Sequence, residues 1–278
     1  MLAPMEHSIV SAPRPAHSFG PLLRSWRAMR GQSQMALGLD AGVSTRHVSY
    51  LETGRAKPSR EMVLALSQAL DVPLRERNQW LTAAGYAPLY HETPLDAPAL
   101  GPVREALQFL LAATEPNPTF VVNRRYDVLD ANATGQWILS TFTKNRAHFA
   151  KPFNMARLLI DRQGMKPFLD NADEVARKVL GRLRRDLGGT HVRDAVDEAL
   201  LREVDEAWKE FGPPPAPTEA LPLMVGVRLR RDALALNLFT TIATLGTPLD
   251  VTLQEIRIET LFAADAQTKT LLAQRAPA

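Results

Sequence analysis

The sequence predicts two folded parts, an all-α domain of five short helices followed by an α+β domain built on an antiparallel sheet. Three observations predict this. The chain has 278 residues, long for one ordinary domain and comfortable for two. Apolar residues recur at helical spacing over 19–85 but alternate, with many branched side chains, over 223–229, 234–245 and 251–262. Between these regions, 89–101 holds Pro94 and Pro98 beside the polar His91, Glu92 and Thr93, the composition of a linker. The expected layout is a disordered tail over 1–18, the all-α domain over 19–88, the linker over 89–101 and the α+β domain over 102–278.

Helix one begins at Phe19, carries Leu22, Leu23, Trp26 and Met29 on one face, and stops at Gly31. Ser33 caps a second helix that runs to about Ala41, and Gly42 allows the tight turn after it. Ser44 caps a third that ends by Gly54. Pro58 and Ser59 open a fourth over Val63, Leu66 and Leu70, and a fifth spans 73–85. Past the linker come a helix over 103–114 and a hairpin, 119–122 against 126–130. Helices over 132–142, 154–160, 166–187 and 191–211 follow, and the proline-rich 212–217 breaks the pattern. Three further strands over the alternating stretches and a helix from about Asp265 complete a sheet of roughly five strands.

Composition narrows the function. With 45% hydrophobic and 23% charged residues the chain suits a soluble globular protein. It has no cysteine, which excludes disulfides, thiolate nucleophiles, cysteine zinc sites and thiol redox sensing. No apolar run approaches the ~20 residues that cross a bilayer, and the start lacks a secretion-signal core, so a cytoplasmic protein without membrane insertion is expected. Net charge is only +3, but 18–88 holds nine basic against five acidic residues, an excess of four positive charges. A polyanion partner therefore belongs to the N-terminal domain.

A DNA-reading helix enters the major groove with polar side chains at its N-terminal half while a second helix braces it on the backbone. Here Leu37, Ala41, Val43, Val48 and Leu51 face inward, leaving Ser44, Thr45, Arg46, His47, Ser49 and Tyr50 at the start and outer face of helix three. Gln34 opens the bracing helix, where its amide and the free N–H groups suit a phosphate. Arg46 can reach a guanine edge or a phosphate. The run Val48-Ser49-Tyr50-Leu51-Glu52-Thr53-Gly54-Arg55-Ala56-Lys57-Pro58-Ser59, with Ser33-Gln34 and Ala41-Gly42-Val43-Ser44 before it, resembles the Cro/phage-repressor (XRE) helix-turn-helix family, which has a lambda-repressor-like fold. The resemblance implies a double-stranded DNA operator as partner, a structural ion pair between Arg27 and Glu52, and backbone contacts from Arg55 and Lys57. One departure is Gly38, where the family usually has Ala at the crossing of helices two and three; Gly costs about 1 kcal/mol of helix propensity there, so close helix packing is expected to survive with less rigidity.

In the second domain, 117–133 (Asn117-Pro118-Thr119-Phe120-Val121-Val122 through Asn132-Ala133) and 241–251 resemble the MmyB-like ligand-binding domain that follows such a helix-turn-helix in many bacterial regulators. The resemblance implies a PAS-like arrangement, helices over an antiparallel sheet around an apolar cavity, and a fatty-acid-like small ligand, with no other cofactor. Phe120, Trp137, Ile138, Phe142, Leu158, Leu159, Phe168, Leu236, Leu238 and Ile242 are the candidate cavity residues, though an apolar cavity and an apolar core look the same in sequence. Arg157 and Arg125 are candidates for an acid head group, with a solvated surface role the alternative. Arg182-Leu183-Arg184-Arg185 reads as a solvated face. Asn132 reads as a helix cap, and His148 and His191 lack a second ligand at metal spacing.

Three functions compete. The first is a ligand-responsive transcription regulator acting as a homodimer. The second, an enzyme fused to a DNA-binding domain, finds no glycine-rich phosphate loop, metal spacing or Gly-x-Ser-x-Gly elbow to support it. The third is a regulator whose second domain serves only dimerisation or protein contact; it differs in predicting no apolar cavity.

Overall fold

The computed structural model describes residues 18–145, 153–188, 194–211 and 226–275. These fall into two units, Met1–Leu89 and Tyr90–Ala278. All but Ser18 of the expected tail, His148 and His191, the proline-rich break at 212–217 and the first residues of the strand over 223–229 lie outside the described residues.

The first unit contains α1 (Phe19–Met29), α2 (Gln34–Ala41), α3 (Thr45–Glu52), α4 (Arg60–Ala69) and α5 (Leu74–Ala83). Serine starts three of them: the hydroxyls of Ser33, Ser44 and Ser59 accept from the backbone N–H of Ala36, His47 and Met62 at 3.0, 3.2 and 3.2 Å. Leu23, Leu37, Val48, Leu51, Leu66 and Leu81 bury the inner faces against one another, each such side chain contributing roughly 1.5–3 kcal/mol. Phe19 meets Trp80 edge to face at 5.6 Å and ties the first helix to the last.

The turn between α2 and α3 depends on two glycines. Gly42 takes a left-handed φ of 68°, which ends α2 with little strain. At Gly38 the next turn folds back so closely that its carbonyl accepts the Val43 N–H at 2.7 Å. A Cβ on Gly38 would stand 2.5 Å from the Val43 carbonyl oxygen. The sequence reading of Gly38 as a small loss of rigidity is therefore corrected: the missing side chain is what lets the turn close.

The second unit contains α6 (Gly101–Ala113), β1 (Thr119–Val122), β2 (Val128–Ala131), α7 (Ala133–Thr141), α8 (Met155–Ile160), α9 (Ala172–Gly188), α10 (Ala195–Phe211), β3 (Gly226–Arg231), β4 (Leu234–Thr244), α11 (Val251–Glu255), β5 (Arg257–Ala263) and α12 (Ala266–Ala273). The five strands form one antiparallel sheet in the order β2-β1-β5-β4-β3. Its two faces follow the alternation of the strands: Phe120 and Val122 turn toward the core shared with α7 to α10, while Val121 and Ile258 turn toward Leu107 and Leu111 of α6. Asn132 caps α7 as expected, its Oδ1 accepting from Gly135 at 2.8 Å, and the same oxygen accepts the Thr119 N–H at 2.9 Å.

Three stretches differ from the sequence reading. Within 89–101, read as linker, the His91 carbonyl accepts from Val251 at 2.8 Å, the Thr93 hydroxyl donates to Asp250 at 2.7 Å, and Leu95 packs with the α6 cluster, so these residues belong to the second unit. The expected helix over 166–187 divides into a short 3-10 turn at Lys166–Phe168 and α9. Between them Asn171 donates to the Gly226 carbonyl at 2.9 Å and accepts from Arg228 at 3.0 Å, which docks the start of α9 on β3 and interrupts the helix. The stretch 251–262 begins as helix because Asp250 accepts from Thr252 at 2.8 Å, a cap that overrides the alternating pattern until Arg257. No helix among the described residues is long and apolar enough to cross a membrane.

Candidate nucleic-acid interface and ligand cavity

In the first unit the outer face of α3 and its flanks collects the polar residues. Ser44, Thr45 and Arg46 are exposed, His47, Ser49 and Tyr50 are half-buried on the same short helix, and Arg55 and Lys57 are exposed in the loop that follows. The Arg46 guanidinium donates from Nε to the Tyr50 hydroxyl at 2.9 Å and lies 5.2 Å from the ring centroid. One turn apart on the helix, the two side chains bring a cation and an aromatic ring together on the exposed face. Arg46 is thus held against Tyr50 in the N-terminal half of the exposed helix.

Behind this face stands an ion pair. Arg27 on α1 donates to Glu52 at the end of α3 through Nε at 2.5 Å and through the second nitrogen at 3.1 Å, and its third nitrogen donates to the Gln32 carbonyl at 2.7 Å. Gln34 joins in, its amide donating at 2.8 Å to the same Glu52 oxygen that accepts the second Arg27 nitrogen. Burial pushes the Glu52 carboxyl up, but the Arg27 and Gln34 hydrogen bonds and the Arg27 charge reverse this and hold it below the usual carboxylate range. The Glu52 hydrogen bond, against the penalty of burial, raises the Arg27 guanidinium. The Gln34 side-chain nitrogen, which sequence reasoning aimed at a phosphate, is committed to this frame; its backbone N–H remains at the open start of α2.

In the second unit a half-open cavity of about 110 Å³ lies between the sheet and the helices. Phe120, Ile242, Leu261, Val227 and Leu229 form its floor, Ile138 and Leu139 of α7 and Met155 and Leu159 of α8 its sides, and Val175, Lys178, Val179 and Arg182 of α9 its roof. Of the ten candidate residues, Phe120, Ile138, Leu159 and Ile242 line it. The other six pack elsewhere. Leu158, Leu236 and Leu238 are buried in the surrounding core. Trp137, Phe142 and Phe168 make an edge-to-face ladder at 6.4 and 6.2 Å, with Arg275 over Trp137 and Arg231 over Phe168.

The acid-binding candidates are also placed elsewhere. Arg157 pairs with Glu203 at 2.6 Å on the surface, and Arg125 is taken up by Asp197 at 2.6 Å and by Asp194. The polar residues on the cavity wall are Tyr126, Lys178, Arg182, Thr240 and Glu259. Arg182, read in the sequence as part of a solvated face, donates to Glu259 on β5 at 3.2 Å. Tyr126 is 2% exposed, its phenol lies beside both groups, and its backbone sits at φ 68°, unusual for a bulky residue. Burial pushes the Glu259 carboxyl and the Tyr126 phenol up, and burial with the Arg182 charge pushes Lys178 down. The one available signal was spacing: Val175, Lys178, Val179 and Arg182 share one helix face, but two cations among apolar residues look the same at a cavity rim and on a solvated edge.

A family model described as a helix-turn-helix domain matches residues 18–80, and one described as the MmyB-like transcription regulator ligand binding domain matches residues 103–274. Among solved structures, the restriction-modification controller protein C.AhdI from Aeromonas hydrophila is similar at 36% identity over 21% of this chain and 89% of that chain, with a TM-score of 0.21. An RNA-binding light-oxygen-voltage receptor is similar at 12% identity over 93% of this chain and 61% of that one, with a TM-score of 0.25. No curated protein matches the chain.

Proposed function

The chain belongs to the MmyB-like transcription regulators, and on that premise we propose that a fatty-acid-like molecule in the cavity controls its binding, as a homodimer, to operator DNA. The DNA-binding helix-turn-helix and the ligand-binding domain give the two ends of such a device. The half-open apolar cavity with cations on its wall carries the ligand part of the reading. We read the arrangement of helices over an antiparallel sheet as PAS-like, with the ligand held against the sheet.

On the DNA side, Thr45, Arg46, His47, Ser49 and Tyr50 meet the bases or adjacent phosphates, while Ser44, the start of α2 at Gln34, Arg55 and Lys57 hold the backbone. Arg27 and Glu52 keep α3 at a fixed angle to α1 and contribute no sequence information themselves. A ligand that binds two conformations of the protein unequally shifts their populations, and operator affinity moves with them by the same coupling free energy.

Native mass spectrometry of the purified chain, followed by operator titration with and without straight-chain monocarboxylates, tests this. A co-purifying acid, and an operator affinity that changes when acid is added, are the expected results. An empty protein whose operator affinity ignores every monocarboxylate would sink the ligand reading and leave the second domain a dimerisation or protein-contact module.

A further inference from the structure

The cavity wall carries an uneven set of charges. Lys178 and Arg182 stand one turn apart on α9, and across from them on β5 is a single carboxylate, Glu259, which accepts from Arg182 at 3.2 Å. Lys178 holds no ion pair among the described residues. Off the wall, Arg257 and Asp186 cancel each other at 2.6 Å, while Glu174, one turn before Lys178 on α9, takes the Asn171 amide at 2.9 Å and keeps its negative charge. The lining is otherwise apolar but for Thr240 and the Tyr126 phenol. The cavity wall itself therefore carries two cations against one anion, set in an otherwise mostly apolar lining.

Sheet register explains how one carboxylate comes to sit there. Glu259 occupies the position between Phe120 on β1 and Ile242 on β4, both on the cavity floor. A carboxylate on an apolar floor is tolerated only if it is paired, and Arg182 supplies the pair. With side-chain exposures of 24% for Arg182 and 15% for Glu259, that pair is largely withdrawn from water, whereas Lys178 stays at the rim.

We propose that Lys178 is the head-group anchor of the ligand, and that Glu259, by neutralising Arg182, sets the site to accept one negative charge. This rests on the reading of the cavity as a small-molecule site. A monocarboxylate brings the four charges to balance, with its oxygens shared between Lys178 and the free Arg182 nitrogens and its chain along Ile242 and Leu261. A neutral alcohol leaves one cation unmatched, and an alkyl phosphate dianion overshoots by one charge.

Isothermal titration calorimetry of the full chain decides this. Octanoate, dodecanoate and hexadecanoate first find the preferred chain length; the alcohol and alkyl phosphate of that length are then compared. The acid should bind about tenfold or more tighter than either, the size of a charge-assisted hydrogen bond in a partly dry site. Lys178→Met should remove most of the acid's advantage over the alcohol, and Lys178→Arg should restore it. Glu259→Gln should tighten the alkyl phosphate relative to the acid. An alcohol that matches the acid in the unmodified protein, or a folded Lys178→Met with unchanged selectivity, overturns the proposal while leaving the cavity a ligand site. If no amphiphile binds at all, the reading of the cavity itself fails.

Discussion

Arg46 and Tyr50 are coupled before any DNA arrives, because the guanidinium rests on the ring and donates to its hydroxyl. Arg46→Ala should weaken specific operator binding by about 1–3 kcal/mol with unfolding unchanged, as measured by titration of operator and scrambled DNA. A loss of equal size on both DNAs would make Arg46 a phosphate contact instead. The Arg27–Glu52 pair contributes to the fold through a proton. The folded Glu52 titrates below its ordinary value of 4.5, so its contribution is fully present above that pH and disappears as pH falls through the folded value. The stability difference between the unmodified chain and Glu52→Gln should therefore be largest near neutrality and shrink in acid; a difference that grows on acidification would contradict the assigned direction. Both frame residues were legible in the sequence through its resemblance to the XRE helix-turn-helix family, which implies the pair. Lys178 and Glu259 were not, since a charged side chain on a helix or strand does not reveal which neighbours the tertiary fold will bring to it.

Elements were most legible where a local device sets them. Ser33, Ser44, Ser59 and Asn132 start helices in the structure where the sequence has them capping. Where two local signals conflict, or a distant partner decides, the sequence reading slips: alternation over 251–262 gives way to the Asp250 cap, and the helix over 166–187 yields to the Asn171 bonds with β3. The same bonds make a prediction. Asn171→Ala frees the Gly226 carbonyl and the Arg228 N–H of partners and should cost about 1–3 kcal/mol in denaturant unfolding. Gly38→Ala sets two effects against each other, a gain of about 1 kcal/mol in helix propensity and a clash with the Val43 carbonyl. Overpacking against backbone typically costs about 1–3 kcal/mol, so net destabilisation of the helix-turn-helix unit is expected, together with weaker operator binding. A more stable Gly38→Ala protein would mean that the turn opens at no cost.

At the scale of the molecule, division of the chain into two units was legible from the change of hydrophobic period, while the stretch over 89–101 was not: its prolines and polar residues look like linker, yet its hydrogen bonds run to Val251 and Asp250. One five-helix unit reads a short half-site, so a homodimer on paired half-sites is expected. Sedimentation should give a dimer on operator DNA; a monomer there would remove the dimer from the proposed function. The order of the strands has a further consequence, in time. β5 lies in the sheet between β1 and β4, and Thr119 meets Thr260 across 141 residues of chain. During synthesis the helix-turn-helix unit, whose core is drawn from residues 19–86, can complete itself while β1 and β2 still wait for their central neighbour. A nascent chain halted before Arg257 should hold a folded reading head and an open sheet, a regulator able to meet DNA before its sensor exists.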